Sequence, residues 1–356
     1  MNITDAIELK NISCKNRLIR SAVHSFLGTE DGHLSAADFA MYETLAKSGI
    51  GLIITGHVCV QEGGRANINQ PNIFADEYIE DFAQGAKIAH KYGAKFVVQL
   101  NHAGPRAVDN DDLADVTERE LKKGKFARKL RLDEIKNIEN AFITAAARIK
   151  AAGADGVQLH AAHSYLLSRF IDPTFNTRDD EYGGNAKNRF RMAENIILGI
   201  KEKCGANFPV FIKINSDTNA DNDAYEQDMI YILNRAGQIG AELAELSGVD
   251  FINQPKTDRL YYLSRAERLK KAVPDMPLSL VGGVRSLGDA QKVLAAGVDM
   301  VSLGRALIAD NDFAARLLEG EDAPTKCVSC SRCFVLPNKH PGLRCVWELK
   351  KARANK

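Results

Sequence analysis

The chain alternates short runs of apolar, mostly β-branched residues with longer stretches in which apolar positions recur every three or four residues. The runs predict strands at Arg17–Ser21, Gly51–Thr55, Phe96–Leu100, Gly156–His160, Val210–Asn215, Leu243–Ser247, Leu278–Gly282 and Met300–Gly304. Most are continuous rather than alternating, as expected for strands covered on the outside by helices. Helical period fills the intervals at Ala37–Ser48, Ile79–Tyr92, Leu132–Ala152, Asn188–Cys204, Asp228–Ile239 and Ser286–Ala296. Several of these stretches run into a glycine (Gly49, Gly93, Gly153, Gly240, Gly297), a residue that readily closes a helix in the left-handed conformation.

Eight strand–helix units favour a closed (β/α)8 TIM barrel, an α/β fold, over an open doubly wound sheet. No strand is followed by the Gly-x-Gly-x-x-Gly turn that a dinucleotide-binding sheet requires. The expected division is a barrel at 1–320 and a cysteine-rich C-terminal extension at 321–356. Ala103–Arg131 is long for a connection and reads as a lid or specificity loop. Its basic cluster, Lys122, Lys123, Lys125, Arg128, Lys129 and Arg131, reads as a solvated face, with recognition of an anionic substrate tail as the alternative.

Composition narrows the class. The 356 residues are 45% apolar and 26% charged with a net charge of +1, so no electrostatic footprint for nucleic acid or an anionic membrane exists. Met1–Lys10 is mixed and polar, and no stretch approaches ~18 uninterrupted apolar residues, so a cytoplasmic protein is expected. Of seven cysteines, Cys14, Cys59 and Cys204 are scattered, while Cys327, Cys330, Cys333 and Cys345 crowd near the C-terminus. That asymmetry suggests a metal site rather than a disulfide framework.

In such a barrel the chemistry gathers where strands end. Gly56 follows the second strand, Gln99 ends the third, His160 ends the fourth, and Lys213 points inward on the fifth. Gly282 and Gly283 follow the seventh, and Gly304 and Arg305 the eighth, the usual place for a phosphate in this fold. Turns without a ligand are the plainer reading of those glycines. His160 and His163, three residues apart, could both donate to one carbonyl oxygen and stabilise charge growing there, with Tyr165 as proton donor. A metal pair or two structural histidines are the alternatives. Lys213 needs a buried negative partner, either a cofactor that gains charge on reduction or a nearby carboxylate. The spacing Cys-x2-Cys-x2-Cys-x11-Cys suits an iron–sulfur cluster, with zinc or merely structural thiols as rivals.

Taken together, the residues resemble the Old Yellow Enzyme family of flavin-dependent ene-reductases along nearly the whole chain. The stretches that carry the likeness are Lys15-Asn-Arg-Leu-Ile-Arg-Ser21, Val98-Gln-Leu-Asn-His-Ala-Gly104 and His160-Ala-Ala-His-Ser-Tyr-Leu166. Asn176-Thr-Arg-Asp-Asp-Glu-Tyr-Gly-Gly184 with Asn188-Arg189, then Val281-Gly-Gly283 and Leu303-Gly-Arg305, follow in order. With its cysteines the chain looks like the branch holding 2,4-dienoyl-CoA reductase, enoate reductase and trimethylamine dehydrogenase. The resemblance implies FMN across the barrel mouth, flanked by Ser21, Ala22 and Val23, with Gly56 and Gln99 at its pyrimidine side. It implies Lys213 beside the reduced ring, Gly283, Gly304 and Arg305 at the phosphate, and a 4Fe-4S cluster at the four cysteines. Ala22 stands where many relatives carry proline, and His24 where threonine or cysteine is common.

The implied activity is hydride transfer from reduced flavin to the activated C=C bond of an enone, enoate or enoyl thioester. NAD(P)H or a redox partner protein would supply electrons, and a small unsaturated molecule would be the substrate. Self-association of the chain is left open by the sequence. Rivals are an amine demethylase, which would favour aromatic walls and carboxylates over paired hydrogen-bond donors, and a subunit active only with a flavoprotein partner. A non-flavin barrel such as an aldolase is the third.

Overall fold

All eight apolar runs form strands: β1 Leu18–Arg20, β2 Leu52–Ile54, β3 Lys95–Asn101, β4 Gly156–Ala161, β5 Val210–Asn215, β6 Ala241–Ser247, β7 Leu278–Val281 and β8 Met300–Leu303. Each pairs in parallel with its neighbours in sequence, and β8 pairs with β1, so the sheet closes into a (β/α)8 TIM barrel. The computed structural model describes residues 1–219, 221–335, 342–347 and 349–350. Parts of the expected 321–356 extension therefore lie outside the described residues.

The outer ring contains α1 Ala36–Lys47, α2 Ile79–Lys91, α3 Leu132–Ala151, α4 Ala186–Cys204, α5 Asn222–Gln238, α6 Leu263–Ala272 and α7 Leu287–Ala295. All five glycines expected to close helices have positive φ. Helix α5 begins six residues before its apolar period does, because the Asp221 side chain accepts from the backbone of Asp223 and Ala224 and caps it there. Helix α6 was not foreseen. Its sequence, Leu-Ser-Arg-Ala-Glu-Arg-Leu-Lys-Lys-Ala, buries only Ala266 and Leu269, too few apolar positions to show a period.

Strand alternation sorts the barrel into two cores. Outward residues such as Val98, Leu159, Ile212, Leu246 and Leu280 pack under the helices in the main core. Inward residues Ile19, Leu52, Ile54, Val97, Phe211, Leu243 and Met300 fill the lower interior, plugged by the hairpin Ile7–Glu8/Ser13–Cys14. One side-chain layer higher the interior becomes polar, and this change locates the functional end.

The Ala103–Arg131 segment, expected as a lid or specificity loop, has secondary structure of its own. It folds into a small outer sheet of Ala114–Asp115, Arg119–Lys122 and Lys125–Lys129. Within its basic cluster Arg128 pairs with Asp112 and Glu134, Lys129 with Asp179, and Arg131 with Asp133, as befits a solvated face. The described residues of 321–350 fold back onto the barrel mouth. Thr325 donates its N–H to the Arg285 carbonyl, Tyr261 donates to the Ser329 hydroxyl at 2.7 Å, and Leu343 donates to the Ser25 carbonyl.

Candidate functional site

The C-terminal ends of the strands enclose a cavity of about 470 Å³, a size suited to a small-molecule site. Every residue expected at the flavin and substrate positions lines it except Gly56. A Cβ at Gly56 would come within 3.0 Å of the Val23 carbonyl and the His24 Cα, so this glycine permits two backbones to approach. Its neighbour His57 lines the cavity in its place.

The floor is a continuous polar chain. Gln99 Nε2 donates to Gln158 Oε1 at 2.8 Å, and Gln158 Nε2 donates to Glu245 Oε2 at 3.1 Å. Glu245 in turn pairs with Lys213 Nζ at 3.3 Å, and Lys213 donates to Ser21 Oγ at 2.8 Å. Burial lowers the Lys213 pKa and the Glu245 charge opposes that shift. The lysine does have a carboxylate partner, on the adjacent strand, in register with it. Glu245 and Gln158 were not anticipated, since nothing local marks which polar strand residue meets which.

At the β7 and β8 ends the backbone offers donors. The N–H groups of Gly283, Gly304 and Arg305 make no hydrogen bond within the described residues, an arrangement suited to a phosphate. A Cβ at Gly304 would meet only the Val23 and Val281 side chains, at 3.7 and 3.8 Å, so the protein alone does not demand a glycine there. Arg285 and Arg305 add positive charge on the same side.

Across the mouth stand His160, His163 and Tyr165. The His160 and His163 rings meet edge to face with centroids 5.3 Å apart, and the His160 and Tyr165 centroids lie 4.8 Å apart. The His160 Nδ1 is buried without a partner. His163 Nε2 lies 2.8 Å from Ser247 Oγ, leaving Nδ1 for a ligand, so the pair faces one acceptor through different surroundings. His163 and Ser164 both have positive φ, 61° and 60°, costly for residues with a Cβ. Three side chains hold this turn: Arg106 donates to the His163 carbonyl, Arg169 to the Ser164 carbonyl, and the Asn215 side chain accepts from the His163 N–H. Arg169 is itself fixed by buried Asp115 of the outer sheet at 2.5 Å.

Burial holds His57, His160 and His163 well below the ordinary imidazole pKa and His24 at about 4, so all four are neutral near pH 7. For His160 and His163, the Lys213 and Arg106 charges act in the same direction. His24, His57 and Arg106 join the site from separate connections, and Ser247 from the end of β6. The hydrogen-bonding residue types were the available signal, but their convergence is tertiary.

Cys327, Cys330, Cys333 and Cys345 gather around one small cavity of about 20 Å³ beside Arg305. All four are free thiols. Burial pushes Cys333 up to about 11 and also raises Cys327. Among the described residues, however, no three His, Cys, Asp or Glu side chains are disposed to hold a metal ion. The expected metal site is thus present only as a gathering of thiols.

The profile of the NADH:flavin oxidoreductase / NADH oxidase family matches residues 3–323. The NADH oxidase of Thermoanaerobacter brockii is 30% identical over 344 residues, covering 93% of this chain and 53% of the relative. The chain therefore spans about half that relative's length. The NADPH dehydrogenase of Bacillus subtilis (strain 168) is 30% identical over 312 residues, 86% of this chain and 91% of the relative. Among solved structures, the old yellow enzyme homologue from Zymomonas mobilis superposes with a TM-score of 0.79 at 24% identity, covering 93% of this chain and 96% of that one. A 2-naphthoyl-CoA reductase in complex with 2-naphthoyl-CoA gives 0.81 at 20% identity, covering 90% and 52%. With its barrel closed and its mouth furnished in this way, the chain belongs to the NADH:flavin oxidoreductase / NADH oxidase family, the Old Yellow Enzyme group of FMN-dependent oxidoreductases.

Proposed function

We propose that this protein is an ene-reductase that binds FMN across the barrel mouth and reduces an activated C=C bond. The observation that carries the reading is the division of one cavity. Free backbone donors and two arginines stand at one side, and neutral His160, His163 and Tyr165 at the other, above the Lys213–Ser21 floor. Unsatisfied buried polar atoms around the cavity, including His160 Nδ1 and the Ser302 hydroxyl, fit a heteroaromatic ligand rich in acceptors and donors.

In this reading Ser21, Ala22, Val23, Gln99 and Lys213 hold the ring, while Gly282, Gly283, Gly304 and Arg305 hold the phosphate. FMN, when bound, supplies the hydride chemistry. His160 and His163 donate to the acceptor's carbonyl oxygen and stabilise charge that develops there. Their neutrality matters, since each imidazole keeps an N–H to donate without placing a second buried cation beside Lys213. Tyr165 gives its proton to the α-carbon. Arg106 lines the cavity, and its hydrogen bond among the described residues goes to the His163 carbonyl rather than to a carboxylate, which favours an acceptor bearing a carboxylate or another anionic arm. An enoate and an enoyl thioester are therefore the first acceptors to try, and NAD(P)H the first reductant.

The four cysteines are assigned to an iron–sulfur cluster, because four thiols converge on one cavity although the described residues show no single-ion geometry. A protein electron donor working through that cluster is the corresponding alternative to NAD(P)H. The test is anaerobic purification followed by an absorption spectrum, iron and sulfide analysis, and mixing with NADH or NADPH and then an acceptor. Flavin bands that bleach and then return on adding the acceptor support the proposal. Colourless protein that FMN does not reconstitute would falsify it.

A further inference from the structure

His57, one of four imidazoles in the cavity, has no part in the chemistry above. It follows β2, and the side chain is 7% exposed. Its Nε2 lies 3.3 Å from the Tyr165 hydroxyl, the only hydrogen bond that hydroxyl makes among the described residues. On its other side it stacks on His24, with ring centroids 4.6 Å apart and planes 25° from parallel. The His57 Nδ1 is buried and meets no partner. Arg106 meanwhile covers the Tyr165 ring, its guanidinium 5.1 Å from the centroid. The phenol is therefore fixed by a cation over its face and an imidazole at its oxygen.

The tautomer follows from the burial. A proton on Nδ1 would bury an N–H with no acceptor and lose a full hydrogen bond. A proton on Nε2 leaves only a bare lone pair at Nδ1 and lets the ring donate to the tyrosine oxygen. Tyr165 then accepts from His57, and its own O–H remains free to point at a substrate carbon.

We propose that His57 is a positioning residue for Tyr165: its Nε2–H, donated to the phenol oxygen, aims the phenol proton into the cavity and stabilises the tyrosinate left behind. This rests on the reading of Tyr165 as proton donor. In the step, hydride arrives at the β-carbon and the Tyr165 O–H bond breaks as a C–H bond forms at the α-carbon. The tyrosinate keeps the hydrogen bond from His57 until water at the mouth returns the proton. His57 changes neither charge nor tautomer, which suits an imidazole that burial keeps neutral.

The experiment is a double-mutant cycle on the FMN-loaded protein, reduced anaerobically and mixed with an enone, with the rate of flavin reoxidation as readout. His57→Phe keeps the stack on His24 and removes the donor. It should slow reoxidation about tenfold to a hundredfold in the parent, the scale of one hydrogen bond to a charged group. His57→Gln, whose carboxamide N–H can replace the donor, should recover the rate to within about threefold. In a Tyr165→Phe background the His57→Phe change should cost no more than about twofold. Flavin content and the thermal midpoint of each variant show whether it is folded. An equal cost in both backgrounds, no cost in the parent, or an inert Tyr165→Phe change each overturns the proposal while leaving ene-reduction standing. A parent inert towards every acceptor overturns both.

Discussion

Lys213 shows how a barrel interior keeps a charge. Its ammonium is buried, paired with Glu245 and bonded to Ser21, so the site beneath the expected ring is close to neutral overall. Glu245→Gln would strip the compensating charge and make a reduced, more negative ring relatively easier to hold. The FMN midpoint potential of this variant should rise, by about 30 mV for each tenfold change in the relative affinity of the two redox states. Spectroelectrochemistry checks it, and an unchanged or lower potential would contradict the assignment. The histidines give a pH prediction. His24 and His102 titrate at about 4, and His57, His160 and His163 are also depressed by burial, whereas unfolded histidine titrates near the ordinary value of about 6.5. Below that value the unfolded chain takes up protons that the native site refuses. Stability should thus be level above pH 6.5 and fall as pH drops towards 4, measured as the urea midpoint. His160→Ala and His163→Ala should each slow acceptor reduction far more than they weaken FMN binding, comparing stopped-flow rates with flavin titrations. Lys213 and the two histidines could be read from the sequence because strand position and residue type coincide. Glu245, Ser247 and His57 could not, since each matters only through a neighbour distant along the chain.

Between residues and fold stands the turn after β4. Two consecutive residues with positive φ persist there because the outer sheet reaches in through Asp115 to fix Arg169. Asp115→Asn leaves that guanidinium buried without its counter-charge, costing about 3–5 kcal/mol by analogy with other broken buried pairs. The expected result is a lower denaturation midpoint together with a reduced turnover number, because the imidazole of His163 rides on this turn. Helix α2 offers a contest of opposite effects. Gly85→Ala gains about 1 kcal/mol of helix propensity, but the new Cβ would sit 2.8 Å from the Phe96 ring, which is fully buried. Overpacking typically costs about 1–3 kcal/mol, so a net loss of stability is expected, read as a fall in thermal midpoint. The strands were legible almost to the residue because helix cover makes them continuous apolar runs. Helix α6 and the small sheet over 114–129 were not, because charge dominates both sequences and their burial comes from what they pack upon.

At the scale of the molecule, the alternating pattern fits the closed barrel because eight strand–helix units let the last strand pair with the first, leaving no edge, and no dinucleotide-binding glycine turn marks an open sheet. Where the described part of the extension would lie was not legible, since it is held by scattered backbone and side-chain hydrogen bonds to residues distant along the chain. It lies against the mouth, with Cys327 lining both the large cavity and the small one. If the cysteines hold iron and sulfide, Cys333→Ala should lower both below one cluster per chain while flavin bands remain. Arg305 has the same double exposure as Cys327: one face turns to the phosphate turns, and the guanidinium reaches Ser331 between the thiols. If the proposed nucleotide and cluster both bind, they share a single arginine, and any coupling carried by it is reciprocal. Whatever factor one changes in the other's affinity is returned in full, so stripping the inorganic guest should loosen the nucleotide by the same ratio that removing the nucleotide loosens the guest.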